Sequence, residues 1–433
     1  MSFRTRWKFY EHIRNSLWII PAGFSVIAIS LGILVPHLDE QHSTTIGISY
    51  GPGAAQGILA AIAGGMITFT GFVFSILLLA VQFGSSQFSP RMLRRFLRDP
   101  TTKIALGMFM STFLYALLVL STLGHAGAKT TRDGIFVPDY SVSLSLILLL
   151  LSMMVFLRLM SRTTQGLRVA SVLGELGEDG SKMLGKIYPD RESEPEDRVP
   201  LPETDSGTET RTVIYDDKPG VLQSVDRKGL VEIAGRDDVV IELLRPVGDL
   251  LYSDAPLFRI HGASQSIDDD RLRQSVAVGD ERTMAQDPAF LFRLLADVSS
   301  KALSPGVNDP TTSIQALDQI ELLLRQLGTR RLTPGVRLDG SGKVRLIYPT
   351  PSWEDFLSIA LDETRYFGAE SIQVARRMRA LLEGLRKVVP SHRRPAVEAH
   401  LAILDSSVEQ SFSGTAEIEL AATGDRQGIG SPH

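Results

Sequence analysis

The sequence predicts an α-helical membrane protein: four transmembrane helices, both termini cytoplasmic, followed by a cytosolic α+β domain. Three observations predict it. Four long apolar runs crowd the first 160 residues, Lys and Arg alternate between the loops that join them, and a polar remainder switches from short β-branched runs to helical periodicity. A mean hydropathy of +0.08 averages these unlike halves.

The first run, Leu17–Val35, closes at Pro36 and follows a basic, aromatic start with Arg4, Arg6, Trp7, Lys8 and Arg14. No small-residue cleavage site follows it and further spans come later, so it is expected to remain as span one. The second run is uncharged from Gly57 to Phe83. As helix it measures about 40 Å, more than the ~30 Å hydrocarbon core requires. Ile104–Leu123 and Val142–Leu159 supply spans three and four. Cations gather in the N-terminus, in the loop after span two (Arg91, Arg94, Arg95, Arg98, Lys103) and after span four (Arg158, Arg162, Arg168). The other two loops hold only Lys129 and Arg132, which predicts that both termini are cytoplasmic.

Span two carries a pattern of its own. At 100° per residue, Gly57, Ala60, Ala61, Gly64, Thr68, Gly71, Ser75, Gln82, Ser86 and Ser89 fall in one narrow arc, with Leu78 and Leu79 at its edges. Ile62, Met66, Phe69, Val73, Ile76 and Leu77 occupy the opposite arc, suited to lipid or an apolar neighbour. A small, hydroxyl-bearing stripe lets another helix approach closely, or it faces water in a pore. No ionisable residue lies deep in any span, which argues against the buried relays of coupled carriers and pumps. After span two, Ser89-Pro90 starts a basic segment with Arg91, Arg94, Arg95 and Arg98. It serves as a topology signal beside anionic lipid, or as a cationic mouth at a cytoplasmic pore entrance.

Beyond span four, Gln165–Tyr188 reads as a helix extending into the cytosol, and Asp190–Glu209 as an acidic, flexible linker. Thr212–Tyr215, Gly220–Val225, Leu230–Ile233, Val239–Leu244 and Leu257–Ile260 read as strands of a small β-barrel or sandwich. The segment Arg245-Pro-Val-Gly-Asp-Leu-Leu-Tyr-Ser-Asp-Ala-Pro-Leu257 resembles the turn of biotinyl/lipoyl-like barrels, but no attachment lysine is present. Helical spacing then covers Pro288–Leu303, Pro310–Leu327, Trp353–Tyr366, Ala369–Val388 and Pro395–Gln410. The tail after Ser411 has little core-forming content and is expected to fray.

The segment between the first two of these helices, Ala302-Leu-Ser-Pro-Gly-Val-Asn-Asp-Pro-Thr-Thr312, contains a helix start at Asp309-Pro310. It reads as a plain helix–loop–helix. The alternative is a niche in which Ser304, Asn308, Asp309 and Thr311 hold an anion or a partner's backbone, joined by Arg282 and Asp287. For Arg282 and Asp287 the plain reading is a cap and a surface ion pair.

Motifs for catalysis fall short. There are no cysteines, hence no thiolate chemistry or Cys-ligated metal, and the eight histidines show no HExxH spacing. His37 and His42 flank Asp39 and Glu40 in a loop, which is weak grounds for a metal. Gly180-Ser-Lys-Met-Leu-Gly-Lys186 imitates a phosphate loop, but Ile187 stands where Ser or Thr would hold Mg²⁺. Gly262-Ala-Ser-Gln-Ser266 fails the nucleophile-elbow pattern at its last position. A net charge of −4 gives no sign of nucleic-acid binding.

Three segments carry a resemblance: Ser75–Asp99 (SILLLAVQFGSSQFSPRMLRRFLRD), Arg282-Thr-x-x-Gln-Asp287, and Ala302-Leu-Ser-Pro-Gly-x-Asn-Asp-Pro-Thr311. In that order they resemble the hallmark segments of a family of predicted bacterial inner-membrane proteins, grouped under a domain-of-unknown-function label. The resemblance covers most of the chain and implies a bacterial cytoplasmic membrane with four spans and a cytosolic domain. It implies no activity, so no catalytic residue is carried over. Where the family commonly has Ala after the second Thr, this chain has Ser313.

The expected layout is a transmembrane domain at 1–165, juxtamembrane helix and linker at 166–210, β domain at 211–262, helical domain at 263–412 and flexible tail at 413–433. The expected function is a homo-oligomeric passive channel for ions or small solutes. Its second helices line the axis through Gly64, Thr68, Gly71, Ser75, Gln82 and Ser86, and Ser89 with the four arginines forms the mouth. The alternative is a membrane-anchored binding or signalling module that takes an anion, small molecule or partner at its cytosolic domain. Lipid and a second copy are the expected partners; no enzyme activity, cofactor or metal is expected.

Overall fold

The computed structural model describes residues 2–41, 49–87, 99–126, 137–166, 168–189, 210–262, 267–332 and 335–430. The basic segment from Ser89 to Arg98 and the acidic linker therefore lie outside the described residues, as does His42. The chain divides into two compact units, residues 11–168 and residues 1–10 with 169–433.

The helix α1 (Phe3–Asn15) is divided between the two units at residue 10, and the first unit contains four helices long and apolar enough to cross a membrane. These are α2 (Ile19–Gln41), α3 (Pro52–Gln87), α4 (Pro100–Ala126) and α5 (Asp139–Gly166). Their existence matches the four apolar runs. The hub is the third span: α4 touches α2, α3 and α5, and its Ala105, Phe109, Tyr115, Ala116 and Val119 are fully buried. Small residues admit the close approach that membrane helices need. A Cβ on Gly32 would stand 2.9 Å from Leu118 on α4, and one on Gly107 2.9 Å from Phe24 on α2. Polar groups are paired inside. Thr112 and Ser152 share a buried hydroxyl bond of 2.9 Å across α4 and α5, and the buried Asp39 carboxylate accepts the Ser141 N–H (3.0 Å) and hydroxyl (2.7 Å) at the start of α5.

The second unit begins with the first ten residues of the chain. The Arg4 N–H donates to the Gln274 carbonyl at 3.2 Å, its guanidinium pairs with Asp217, and the Trp7 indole donates to Gln223 at 3.3 Å. Next comes α6 (Val169–Ile187), a helix distinct from α5, which ends at Gly166. The sequence reading ran the two together. Instead α6 buries Val172, Leu173, Leu176 and Leu184, and Gly177 and Gly180 let Gln319 and Leu291 seat against its backbone. The glycines and lysine that imitate a phosphate loop are thus helical.

The strands are β1 (Thr210–Ile214), β2 (Gly220–Val225), β3 (Val240–Leu243), β4 (Leu250–Leu251), β5 (Pro256–His261), β6 (Val276–Gly279), β7 (Val336–Leu338) and β8 (Val344–Ile347). They form two sheets, ordered β1-β5-β3-β8-β7 and β4-β2-β6, rather than one closed barrel. One core joins them, built from Val213, Leu222, Ile241, Leu257, Phe258, Ile260, Val276 and Leu346.

Two departures from the sequence reading stand out here. Leu230–Ile233 is not a strand but part of α7 (Arg227–Arg236), capped by Asp226, with Leu230, Ile233 and Ala234 buried at helical spacing. The β module is also not confined to 211–262. It recruits β6, beyond the short α8 (Asp269–Arg273), and the hairpin β7–β8, whose second strand pairs parallel with β3.

The helical layer comprises α9 (Pro288–Ala302), α10 (Pro310–Gly328), α11 (Trp353–Gly368), α12 (Ile372–Val388) and α13 (Arg394–Ser411), all near their expected bounds. The tail does not fray after Ser411. It forms α14 (Thr415–Ala421), buries Ala421 and returns to α12, where Arg376 donates to the Leu420 carbonyl at 2.6 Å and accepts the Asp425 N–H at its own carbonyl.

Candidate functional site

On α3 the two arcs face opposite ways. Ile62, Met66 and Val73 are buried, and Phe69 packs edge-on against Phe109 of α4 and Phe156 of α5 at 5.3 and 4.7 Å. Gly64, Thr68, Gly71, Ser75 and Gln82 are exposed, and a Cβ at Gly57, Gly64, Gly65 or Gly71 would meet nothing within 4 Å. The greasy neighbour is thus the chain's own α4 and α5, and the small-residue side is turned away from the other three spans. Ile67, Phe72, Phe74, Leu78 and Leu79 flank it and are also exposed. Along it the Thr68 and Ser75 hydroxyls donate to the carbonyls of Gly64 and Gly71, each at 3.0 Å, which satisfies them without water. The Ser86 side chain, like Ser89, Arg91, Arg94, Arg95 and Arg98, lies outside the described residues.

The cytosolic niche does not come together as one site. Asp287 caps α9 and Asp309 caps α10, so Arg282 and Asp287 stand at one end of α9 and Ser304, Asn308, Asp309 and Thr311 beyond the other. Fifteen helical residues separate the ends, about 22 Å.

Around Asp309 the loop is satisfied by itself. The Asp309 carboxylate accepts the Thr312 N–H (3.1 Å) and hydroxyl (2.6 Å), and the Ser304 hydroxyl donates to the Lys301 carbonyl at 2.7 Å. Asn308 takes a positive φ of 47°, a conformation Asn tolerates better than most residues, and Thr311 is exposed. That is the plain helix–loop–helix.

Arg282 and Asp287 form a joint. The Asp287 carboxylate, only 4% exposed, accepts from Arg282 Nε (2.9 Å) and Nη2 (2.7 Å) and from the Phe290 N–H (3.0 Å). Arg282 also lies over the Phe290 ring at 5.1 Å. Burial pushes the Asp287 carboxyl above the usual carboxylate range, while Arg282 and the backbone N–H groups of Phe290 and Ala289 pull it back. Next to them, Gln286 clips the end of β2: its amide oxygen accepts the Val225 N–H and its amide nitrogen donates to the Val225 carbonyl, both at 3.1 Å. Gly248, at φ +102°, lets the β3–β4 turn lie against this joint, since a Cβ there would stand 2.5 Å from Asp287 Oδ2.

Beside the joint opens a cavity of about 170 Å³, lined from five stretches of chain. Ile187 and Tyr188 lie at the end of α6, Val225 and Arg227 bracket the β2–α7 turn, Leu243 ends β3 with residues 246–249 beyond it, and Arg282, residues 286–289, Leu346 and residues 348–351 complete it. Arg227 lies over the Tyr348 ring at 4.4 Å. Sequence reasoning missed Arg227, Tyr188 and Tyr348, because a lone Arg at a helix start and two tyrosines 160 positions apart carry no local signature. No group of three or more His, Asp and Glu that could hold a metal occurs among the described residues.

A family model described as "Predicted membrane protein (DUF2254)" matches residues 14–384. Uncharacterized proteins of Mycobacterium tuberculosis and Mycobacterium bovis are each 28% identical over 418 residues, spanning 93% of this chain and 78% of theirs. No solved structure matches the chain.

Proposed function

The chain belongs to the predicted-membrane-protein family DUF2254, and from that premise we propose that it assembles as a homo-oligomer conducting ions or small solutes passively across a bacterial cytoplasmic membrane. The observation that carries the reading is the outward orientation of the Gly64–Thr68–Gly71–Ser75–Gln82 face of α3. α3 sets Ile62, Met66, Phe69 and Val73 against its own neighbours and, between the exposed Ile67, Phe72, Phe74, Leu78 and Leu79, presents a strip of glycines and hydroxyls that a second copy's backbone can approach. Gln82 adds to this. Its amide has no partner among the described residues, and a neighbouring copy or a water column would supply one. Four spans enclose no wide path, so the conduit requires several subunits around an axis.

In this reading both termini are cytoplasmic, as the Lys and Arg distribution directs, and Arg91, Arg94, Arg95 and Arg98 form a cationic mouth. The residue 169–433 unit serves as assembly platform and gate, and no catalytic step is assigned. Single-channel recording of the purified protein in planar bilayers tests the idea. Conductance that falls or changes selectivity in Thr68→Leu and Ser75→Leu is the expected result. A silent wild type, or currents indifferent to both substitutions, rejects a pore along α3.

A further inference from the structure

We infer that the cavity beside α7 is a binding site for a small organic oxyanion, a carboxylate or phosphate attached to an apolar body about one ring in size, held by the Arg227 guanidinium. The inference is independent of conduction through α3.

The charged and polar groups around the cavity divide into spent and unspent. Arg282 and Asp287 neutralise each other, and Gln286 uses both ends of its amide on Val225. Arg227 does neither. Its guanidinium has no hydrogen-bond or ion-pair partner among the described residues, and its carbon lies 4.4 Å from the centre of the Tyr348 ring. Its electrostatic neighbours are Tyr348, Tyr188 and a second cation, Arg337, with no carboxylate among them. None of its donors is among the closed-off atoms left without a partner, so they remain open to an acceptor that enters the cavity.

The tyrosines repeat the pattern. Tyr188 and Tyr348 are 3% and 7% exposed, both line the cavity, and neither hydroxyl has a hydrogen-bond partner among the described residues. Three residues with unmatched donor groups thus line one space, two of them more than nine-tenths buried. An anion is the ligand that uses them. Contact with the Tyr348 ring positions the guanidinium at the cavity, where its unmatched N–H groups can make the two parallel bonds that Arg makes to a carboxylate or phosphate.

The remaining wall sets the body of the ligand. Val225, Leu243, Val247, Leu346, Pro349 and Pro351 are apolar. An apolar cavity of about 150 Å³ takes benzene, so 170 Å³ accommodates one ring and its acid group but no nucleotide. Asp249 on the lining disfavours highly charged anions and points to a single acidic group.

Titration of the full chain in lipid nanodiscs tests the site with four probes of one size: benzoate, phenyl phosphate, the cation benzamidine and neutral benzyl alcohol. Heat of binding is the readout. Saturable binding of benzoate or phenyl phosphate with a dissociation constant on the order of 1 mM or tighter is expected, and which of the two binds better separates carboxylate from phosphate sources. Arg227→Gln should weaken it by about tenfold or more, and Arg227→Lys, which keeps the charge and loses the fork, by less. Because the probe series is run on the wild type, the outcome does not depend on either variant folding. No saturable binding of either anion, benzamidine or benzyl alcohol binding as tightly as benzoate, or a folded Arg227→Gln protein that binds unchanged would each overturn the assignment.

Discussion

At the scale of single residues, the Arg282–Asp287 pair shows how far spacing alone carries an argument. The sequence suggested both a cap with an ion pair and a ligand niche, and the geometry realises the first: Asp287 caps α9 and is closed off by Arg282. What five-residue spacing could not reveal is the burial of the carboxylate, because the turn at Gly248 that covers it comes from some forty positions upstream. Burial has a pH consequence. A carboxyl raised on folding favours the protonated form, so its contribution is most favourable below the unfolded value near 3.8 and is lost as pH rises through the folded value. Removing Arg282 takes away the largest opposing influence and raises the carboxyl further. Arg282→Gln should therefore cost little stability near pH 4 and about 1–2 kcal/mol at pH 7, below the usual cost of breaking a buried pair because the guanidinium is partly exposed. Thermal unfolding of the solubilised protein at the two pH values reads this directly. An equal deficit at both would show that Asp287 is not the group being uncovered.

At the scale of elements, helices were legible where caps and period agreed. Asp287-Pro288 and Asp309-Pro310 marked two starts, and the structure keeps both. Strands were harder. Leu230-Val-Glu-Ile233 has a strand-like composition, yet tertiary burial at Leu230, Ile233 and Ala234 chose the helix. The β7–β8 hairpin was overlooked although Asp339-Gly-Ser-Gly342 between Val336–Leu338 and Val344–Ile347 is a turn signal, because three- and four-residue strands leave almost no alternation to count.

The spans offer a sharper test of what glycine does. Gly32 and Gly107 admit Leu118 and Phe24, whereas Gly64 and Gly71 admit nothing from their own chain. Gly32→Leu and Gly107→Leu should lower the melting temperature of the solubilised protein by several degrees through overpacking. Gly64→Leu and Gly71→Leu should leave it within about a degree and reduce the number of subunits seen by native mass spectrometry. Stable variants with unaltered subunit number would mean that this face of α3 meets only lipid.

At the scale of the whole molecule, the division into an apolar first third and a polar remainder was plain in the sequence, but the attachments made by the two ends of the chain were not. The basic N-terminus carries the expected topology signal and, in addition, Arg4 and Trp7 reach Asp217, Gln274 and Gln223. The C-terminal tail read as frayed, yet it folds onto α12 through Arg376. Both attachments rest on backbone carbonyls and single polar side chains rather than on periodic apolar residues, and no period announces them. Trp7→Ala combined with Arg4→Ala should destabilise the residue 169–433 unit by about 1–2 kcal/mol, one exchanged polar contact each. Limited proteolysis within 210–280 provides the measurement; cleavage rates matching the wild type would mean that the first ten residues contribute nothing to it.

The placement of β8 beside β3 bears on how such a chain is made. During synthesis Val240–Leu243 leaves the ribosome with β5 soon available on one side, but its other edge stays bare until Val344–Ile347 has been translated, with the α9–α10 hairpin in between. For that interval of roughly a hundred codons an unpaired β edge is open to any passing strand. A chain arrested before β8 should therefore be the species that chaperones hold and that self-associates.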